Sequence, residues 1–234
     1  MKVAIMQPYV FPYIGYFQLV HHVDTFVFFD DVHFINKGYI NRNNILVDKG
    51  ALRFTIPLQG ASQNKKINEI QLSFGEKERG KLLKTLKHQY QKAPEFSTVF
   101  PMLEAFIQEF DKPNISDLAS ESITLISNYL EISTDFKWSS THFSDSLELK
   151  AAERLIEISK LLEATSYVNP IGGIELYNKN EFKEAGIDLF FLRPKIHEYT
   201  QFNEAFIPNL SIIDVLMFNS KEQVQDMLNN YDLV

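Results

Sequence analysis

The hydrophobic pattern at the start of the chain predicts a buried strand, a stiff loop and a helix. Residues 2–6 form a short apolar run typical of a central parallel strand. Pro8 and Pro12 fix two φ angles in the loop, and a helix is predicted over residues 17–23. Gly15 allows a ligand to approach the backbone closely, and the free N–H groups that begin a helix favour an anion.

Beyond this segment the pattern alternates between the periods of strands and helices. Strands are predicted over residues 23–29, 39–46, 52–58, 66–74, 166–169 and 187–192. Helices are predicted from residue 76 to Ala93-Pro94 and over residues 100–110, 117–129, 147–163 and 181–185, the last closed by Gly186. Two capping boxes, Ser211 with Asp214 and Ser220 with Gln223, would begin further helices.

This order of elements predicts a three-layer, Rossmann-like α/β fold with a mostly parallel sheet. Residues 1–75 and 141–234 are expected to form the α/β core that carries the ligand site. Residues 76–140 are expected to form a helical insertion or subdomain, because strand patterns are weak there.

Composition narrows the classes of function. With 234 residues, 45% of them hydrophobic, the chain can bury a full core. No apolar run is long enough to cross a bilayer and no signal segment is recognisable, so a cytoplasmic location is expected. The absence of cysteine excludes disulfides and thiolate chemistry, and a net charge of −7 argues against nucleic acid as a partner. A small-molecule substrate is therefore expected.

The segment Tyr13-Ile14-Gly15-Tyr16 has the spacing of the His-x-Gly-His signature of adenylyl-transferring α/β enzymes, with tyrosine at both histidine positions. Two tyrosine hydroxyls and free N–H groups could bind phosphate oxygens at the helix start. The alternative is that both tyrosines only pack, in a chain with 20 Phe and 10 Tyr.

Charged side chains near predicted strands are the catalytic candidates. Asp30 and Asp31 follow the second strand and could hold Mg²⁺ or orient an amine, or could merely cap a turn. Arg42, between Asn41 and Asn43, could present a bidentate fork to a carboxylate or phosphate, or could be a solvated arginine.

A second loop, Asn169-Pro170-Ile171-Gly172-Gly173, follows a predicted strand, and its paired glycines permit a ligand to come close, although a plain tight turn is the alternative. Lys150 and Arg154 could clamp a phosphate, but neighbouring glutamates favour an ordinary solvated helix face.

The histidines show no spacing typical of a zinc site, and no metal site is predicted. His33 is the best candidate for a general base because it follows the acidic pair, although a surface histidine is the commoner outcome. Hydrolase, P-loop and dinucleotide fingerprints are absent from the sequence.

Taken together, these motifs resemble the WbqC-like family of bacterial proteins over nearly the whole chain. The matching segments are Met6-Gln7-Pro8-Tyr9, Phe11 to Phe17, Asp30-Asp31, Asn41-Arg42-Asn43, Asn169 to Gly173 and Leu210 to Asp214. The resemblance implies an association with O-antigen and other surface-polysaccharide gene clusters, in which some members are thought to N-acylate or aminoacylate an amino sugar. His33 stands where the family is expected to vary, which counts against a catalytic role for it.

The function implied is amide formation on a nucleotide-linked amino sugar. It would use either ATP-dependent carboxylate activation, with ATP and Mg²⁺ as cofactors, or transfer from an activated acyl or aminoacyl donor. A non-catalytic sugar-nucleotide-binding or scaffolding protein is the alternative. The residues expected to take part in catalysis are Asp30, Asp31 and Arg42. Those expected to bind the cofactor are Gln7, Tyr13, Gly15, Tyr16, Asn169, Gly172 and Gly173.

Overall fold

The structure is a computed structural model that describes residues 1–48 and 50–234. Its strands are β1 (Lys2–Met6), β2 (Thr25–Phe28), β3 (Arg42–Val47), β4 (Gly50–Thr55), β5 (Leu58–Gln59), β6 (Gln71–Leu72), β7 (Asp135–Trp138), β8 (Ser166–Pro170), β9 (Asp188–Pro194) and β10 (Tyr231–Leu233). Its helices are α1 (Ile14–His22), α2 (Glu76–Tyr90), α3 (Phe96–Glu109), α4 (Ile115–Tyr129), α5 (Ser139–His142), α6 (Ala151–Leu161), α7 (Lys179–Glu184), α8 (Ile212–Phe218) and α9 (Lys221–Met227).

Six strands form the central sheet in the order β10-β9-β8-β1-β2-β7, and only β10 runs antiparallel to its neighbour. From β1 the chain moves through α1 to β2 on one side, whereas from β8 it moves through α7 to β9 on the other. The strand order therefore reverses between β1 and β8, which is the topological switch point of a Rossmann-like sheet.

Side chains of the sheet alternate between two hydrophobic layers, as the pleat requires. Ala4, Phe26 and Phe28 face a core that also contains residues of α1, α4 and α8. Val3 and Val27 face a second core that contains residues of α6 and α7. Because helices cover both faces of a mostly parallel sheet, the predicted three-layer α/β fold is confirmed.

The segment predicted as a helical insertion contains α2, α3 and α4, and also the edge strand β7. β7 pairs in parallel with β2, and its sequence Asp-Phe-Lys-Trp alternates polar and apolar residues over only four positions. An alternation over only four residues is too short to identify a strand from the sequence. The division into a core and an insertion stays a prediction. None of the helices in the described residues is both long and apolar enough to span a bilayer.

Several local predictions are confirmed and others are wrong. The hairpin is formed by β3 and β4, although Lys49 in its turn lies outside the described residues. Gly186 has φ +80, as an αL cap requires, and Ser220 forms the predicted capping box with Gln223. Residues 66–74 are not one strand, because a 3₁₀ turn at Ile67–Glu69 precedes the two-residue β6.

The capping box predicted for Ser211 and Asp214 is wrong. Ser211 caps α8 through the Ile213 N–H, but the carboxylate of Asp214 accepts hydrogen bonds from Tyr90 (2.7 Å), Tyr199 (2.6 Å) and Gln201 (2.9 Å). Burial raises the pKa of Asp214, and these three donors oppose the shift. The residue therefore joins α2, α8 and the loop after β9 instead of closing a helix start.

Candidate functional site

The carboxyl ends of the parallel strands bring the predicted site segments to one edge of the sheet. Gln7 follows β1, Asp30 follows β2 and Asn169 lies near the end of β8. Pairing between β1 and β8 covers only Lys2–Val3 with residues 166–167, whereas β1 pairs with β2 as far as Met6. In folds of this kind, ligands bind in the crevice outside the carboxyl ends of the strands at the switch point, which here lies between β1 and β8.

The loop between β1 and α1 is held in a strained conformation at Phe11, whose φ is +42. Its N–H donates to the Ser122 hydroxyl (3.0 Å), and its carbonyl accepts from the Asn43 amide and the Ser211 hydroxyl (2.7 Å each). A left-handed conformation at such a residue costs about 1 to 3 kcal/mol. Contacts from three distant segments offset that cost, so the loop shape is imposed by the whole fold.

The two tyrosines of the Tyr-x-Gly-Tyr segment have different environments. Tyr16 is buried, and its hydroxyl donates to the carbonyl of Gln7 (2.9 Å), so it stabilises the loop. Tyr13 is half-buried and lines a cavity of about 340 Å³ with Tyr9 and Tyr39. Burial, with smaller contributions from Tyr13 and Tyr39, raises the pKa of Tyr9 to about 12. Tyr9 therefore keeps its hydroxyl hydrogen at neutral pH and can donate it to a ligand.

Gly15 lies in the first turn of α1, which begins three residues earlier than predicted. A Cβ at this position would collide with the Tyr13 ring and would lie 2.6 Å from Cγ of Pro194. The glycine is therefore needed so that the Tyr13 ring can pack against the helix start and the end of β9.

Asp30 and Asp31 are both buried, 3% and 4% exposed, and share a hydrogen-bond network with α5. Asp30 accepts from the Ser139 hydroxyl (3.1 Å) and from the N–H and hydroxyl of Ser140 (3.0 and 2.6 Å). Asp31 accepts from the Ser139 hydroxyl (2.5 Å). Ser139 and Ser140 thus hold the acidic pair in place.

Arg154 is the functional candidate that sequence analysis placed wrongly on a solvated face. It is only 4% exposed, its Nη2 lies 2.6 Å from Oδ2 of Asp31, and its guanidinium packs 4.7 Å from the centroid of the Phe29 ring. The helical spacing indicates this burial, because Arg154 lies one turn before Ile158 on the buried face of α6. The two carboxylates therefore differ, because Asp31 has a buried counter-ion and Asp30 has hydroxyl and N–H donors.

The remaining candidates lie in separate places. Arg42 is half-buried at the start of β3, where its Nε donates to the Gly38 carbonyl (2.7 Å). His33 is exposed. Within residues 1–48 and 50–234, no three His, Asp or Glu side chains are arranged to hold a metal ion. Tyr13 and Asp30 line different cavities, although both lie at the carboxyl edge of the sheet.

The loop after β8 uses its two glycines differently. A Cβ on Gly173 would collide with the side-chain amide of Asn169, whereas a Cβ on Gly172 would meet nothing within 4 Å. Asn169 is buried and its Oδ1 accepts from the Tyr167 hydroxyl (3.2 Å). Gly173 therefore fixes where Asn169 lies at the crevice, and Gly172 is exposed there.

This difference gives a matched pair of variants. Gly173→Ala is expected to lower the free energy of unfolding by about 1 to 3 kcal/mol, because the new methyl group displaces Asn169. Gly172→Ala, in open space, should change it by less than about 0.5 kcal/mol. Urea unfolding measures both. Equal effects of the two alanines would contradict the steric role assigned to Gly173.

Comparisons with known proteins agree with the sequence motifs. The model of the WbqC-like protein family matches residues 7–226. A protein of Mycobacterium tuberculosis named "Uncharacterized protein Rv1507c" is 28% identical over 229 residues, which cover 97% of this chain and 97% of that protein. The matched range includes the strained loop, the acidic pair and the glycine loop after β8. The chain belongs to the WbqC-like protein family.

Proposed function

We propose that the protein forms an amide on the amino group of a nucleotide-linked amino sugar. The observation that carries this proposal is the Phe11 loop, which Ser122, Asn43 and Ser211 hold in a strained shape. The same loop lines the cavity of Tyr9 and Tyr13. Strained backbone that the rest of the fold holds in place is frequent at ligand sites. A small-molecule substrate, no nucleic acid and a cytoplasmic location belong to the same proposal.

The proposed roles follow from position. The first N–H groups of α1 and the hydroxyls of Tyr9 and Tyr13 bind the phosphates of the cofactor ATP. Asn169 and the backbone at Gly172 and Gly173 form the other wall of the crevice. Arg42 binds the carboxylate of the acyl donor.

In the proposed reaction, the amine nitrogen forms a bond to the acyl carbon, and the bond from that carbon to its leaving group breaks. The leaving group departs with the electron pair. The sugar ammonium loses two protons, one before attack and one, taken up by the departing leaving group, as the amide forms. Asp30 accepts the first of these, because a carboxylate at hydrogen-bond distance from the amine can act as a general base.

The chemistry of the site fits an ATP phosphate better than a protein-held Mg²⁺. The N–H and hydroxyl donors of the β1–α1 loop suit phosphate oxygens. Asp31 is already paired with Arg154, and Asp30 accepts from Ser139 and Ser140. ATP, when bound, would supply the adenylyl or phosphoryl group that activates the carboxylate of the acyl donor, and Mg²⁺ would accompany it.

A second candidate function is sugar-nucleotide binding without catalysis. The observation that favours it is that three donors already occupy the carboxylate of Asp30, as expected of a carboxylate that caps α5. Under this alternative the crevice binds the nucleotide sugar and presents it to another protein.

Ligand-dependent thermal stability tests the proposal. Nucleotide-linked amino sugars are expected to raise the melting temperature, and a ligand at 100 times its Kd adds about 2.7 kcal/mol of stability. ATP or acyl-CoA should give a further increase that identifies the donor, and incubation of both substrates should yield the N-acylated sugar by mass spectrometry. Binding of the sugar nucleotide without product from any donor would support the binding protein instead.

A further inference from the structure

A second cavity, separate from the one beside Tyr13, lies over the carboxyl ends of β2 and β7. Its volume is about 470 Å³, within the range of small-molecule sites. Asp30 and Trp138 contribute to it from the sheet, Asp117 from the first turn of α4, and Asn68 from the 3₁₀ turn. It is therefore the cavity that a ligand must enter to reach Asp30.

The charged side chains that line this cavity carry an excess of negative charge. Lys112 contributes one positive charge, and its ammonium pairs with Glu121 (2.5 Å), another lining residue. Asp30 and Asp117 supply two further carboxylates. Burial raises the pKa of Asp117, Lys112 opposes that shift, and Glu121 and Asp30 add to it. A positively charged ligand would relieve this repulsion.

The hydrogen-bonding groups also call for a ligand rich in donors. Asn68 also lines the cavity, and its N–H donates to the carbonyl of Asp30 (2.9 Å). The carboxylates of Asp30, Asp117 and Glu121 are acceptors when ionised, so the lining is rich in acceptors. A protonated amine brings three N–H donors and can reach several acceptors at once.

The other walls suit a hydroxylated ring. Trp138 is half-buried, with its indole packed 5.3 Å from the ring centroid of Phe28, and it presents apolar surface to the cavity. The hydroxyl of Ser116 can both donate and accept, whereas the hydroxyls of Ser120 and Ser140 already donate within the protein and can accept from a ligand. Among the described residues no three metal-ligating side chains are grouped here, and walls that suit a ring favour an organic cation.

We infer that this cavity is the acceptor subsite for a protonated amino sugar, with Asp30 and Asp117 accepting its ammonium hydrogens and Trp138 lying against its ring. The inference rests on the proposed function for the choice of a sugar. It adds Asp117, Asn68 and Trp138 to the site, and it separates the amine subsite from the nucleotide-binding loop at Tyr13.

The single tryptophan of the chain makes the inference directly testable, because Trp138 lines the cavity. Methyl glycosides of hexosamines, with the amine at carbon two, three or four, are titrated without any acyl donor while intrinsic fluorescence is followed. At least one amino sugar should change the fluorescence saturably, and the matching glycosides without an amine should not. Asp117→Asn should weaken this binding at least about tenfold, whereas Asp111→Asn, at an exposed position nearby, should leave it unchanged.

The titration separates this inference from the proposed function, since it needs no turnover. Amine-dependent binding that Asp117→Asn weakens supports the subsite even if no amide is ever formed. Equal binding of the neutral glycosides, full binding by Asp117→Asn, or no response to any amino sugar would overturn it. A saturable response to MgCl₂ alone that Asp117→Asn abolishes would also overturn it, by making the cavity a metal site. Melting temperatures without ligand verify that both variants fold.

Discussion

Replacing Arg154 with methionine is expected to lower the free energy of unfolding by about 3 to 5 kcal/mol. Methionine fills much of the same space against Phe29, but it leaves the carboxylate of Asp31 buried without its counter-ion. Urea unfolding followed by circular dichroism measures the loss. The exposed pair of Lys195 with Asp232 is the control, and Lys195→Met should cost less than about 1 kcal/mol.

A double-mutant cycle shows whether the ion pair is the cause. Combining Arg154→Met with Asp31→Asn removes both charges, so the double variant should be more stable than Arg154→Met alone. If the two substitutions instead add their separate costs, Arg154 stabilises the fold through packing. A loss below about 1 kcal/mol for Arg154→Met would contradict a buried, desolvated pair.

Asp30→Asn is expected to lower turnover by about two orders of magnitude or more while changing stability by less than about 1 kcal/mol. The amide keeps nearly the same volume, and its oxygen can still accept from the Ser140 N–H. The Ser140 hydroxyl, which donates to Asp30 at 2.6 Å, can turn and accept from the new amide. What is lost is the charge that accepts the amine proton, and kcat in the amide-forming assay measures that loss.

Asp31→Asn is the matched control for this prediction. Because Asp31 pairs with Arg154, its replacement should mainly reduce stability, and the remaining folded protein should keep much of its turnover. The opposite pattern, with Asp31→Asn inactive and Asp30→Asn active, would exchange the two roles. Stability losses in both variants without selective loss of turnover would make the acidic pair structural.

The layers of the fold could be predicted from the sequence because the buried strands have strong local patterns. β1 and β2 contain short apolar runs beside turn-forming residues, and such runs are typical of parallel strands. β7 was missed, since an edge strand alternates polar and apolar residues over too few positions to be recognised. Asp214 was assigned to a capping box because Ser-x-x-Asp is a local signal, whereas its actual partners Tyr90 and Tyr199 are distant in sequence.

The sequence predicted which loops carry the candidate site residues, but it did not predict which side chains contact one another there. Strand-end positions and the resemblance placed Tyr13, Asp30 and Asn169 at one edge of the sheet. The partners of Asp30 and Asp31 come from α5 and α6, more than 100 residues later, and no local rule pairs them. The spacing of Tyr-x-Gly-Tyr also predicts the same phosphate-binding role for both tyrosines. In the structure Tyr16 is buried and its hydroxyl binds the Gln7 carbonyl, whereas Tyr13 lines a cavity.

The contacts that hold Phe11 also set an order of events during synthesis. Its N–H partner lies 111 positions further along the chain, and the Ser211 hydroxyl that binds its carbonyl lies 200 positions further. As the nascent chain leaves the ribosome, the first loop emerges long before either of these partners exists, and of its three side-chain partners only Asn43, 32 positions later, follows it early. The native shape of this loop is therefore completed only when the carboxy-terminal helices dock, so a ribosome-bound fragment carries the strand without the full set of contacts that holds the loop.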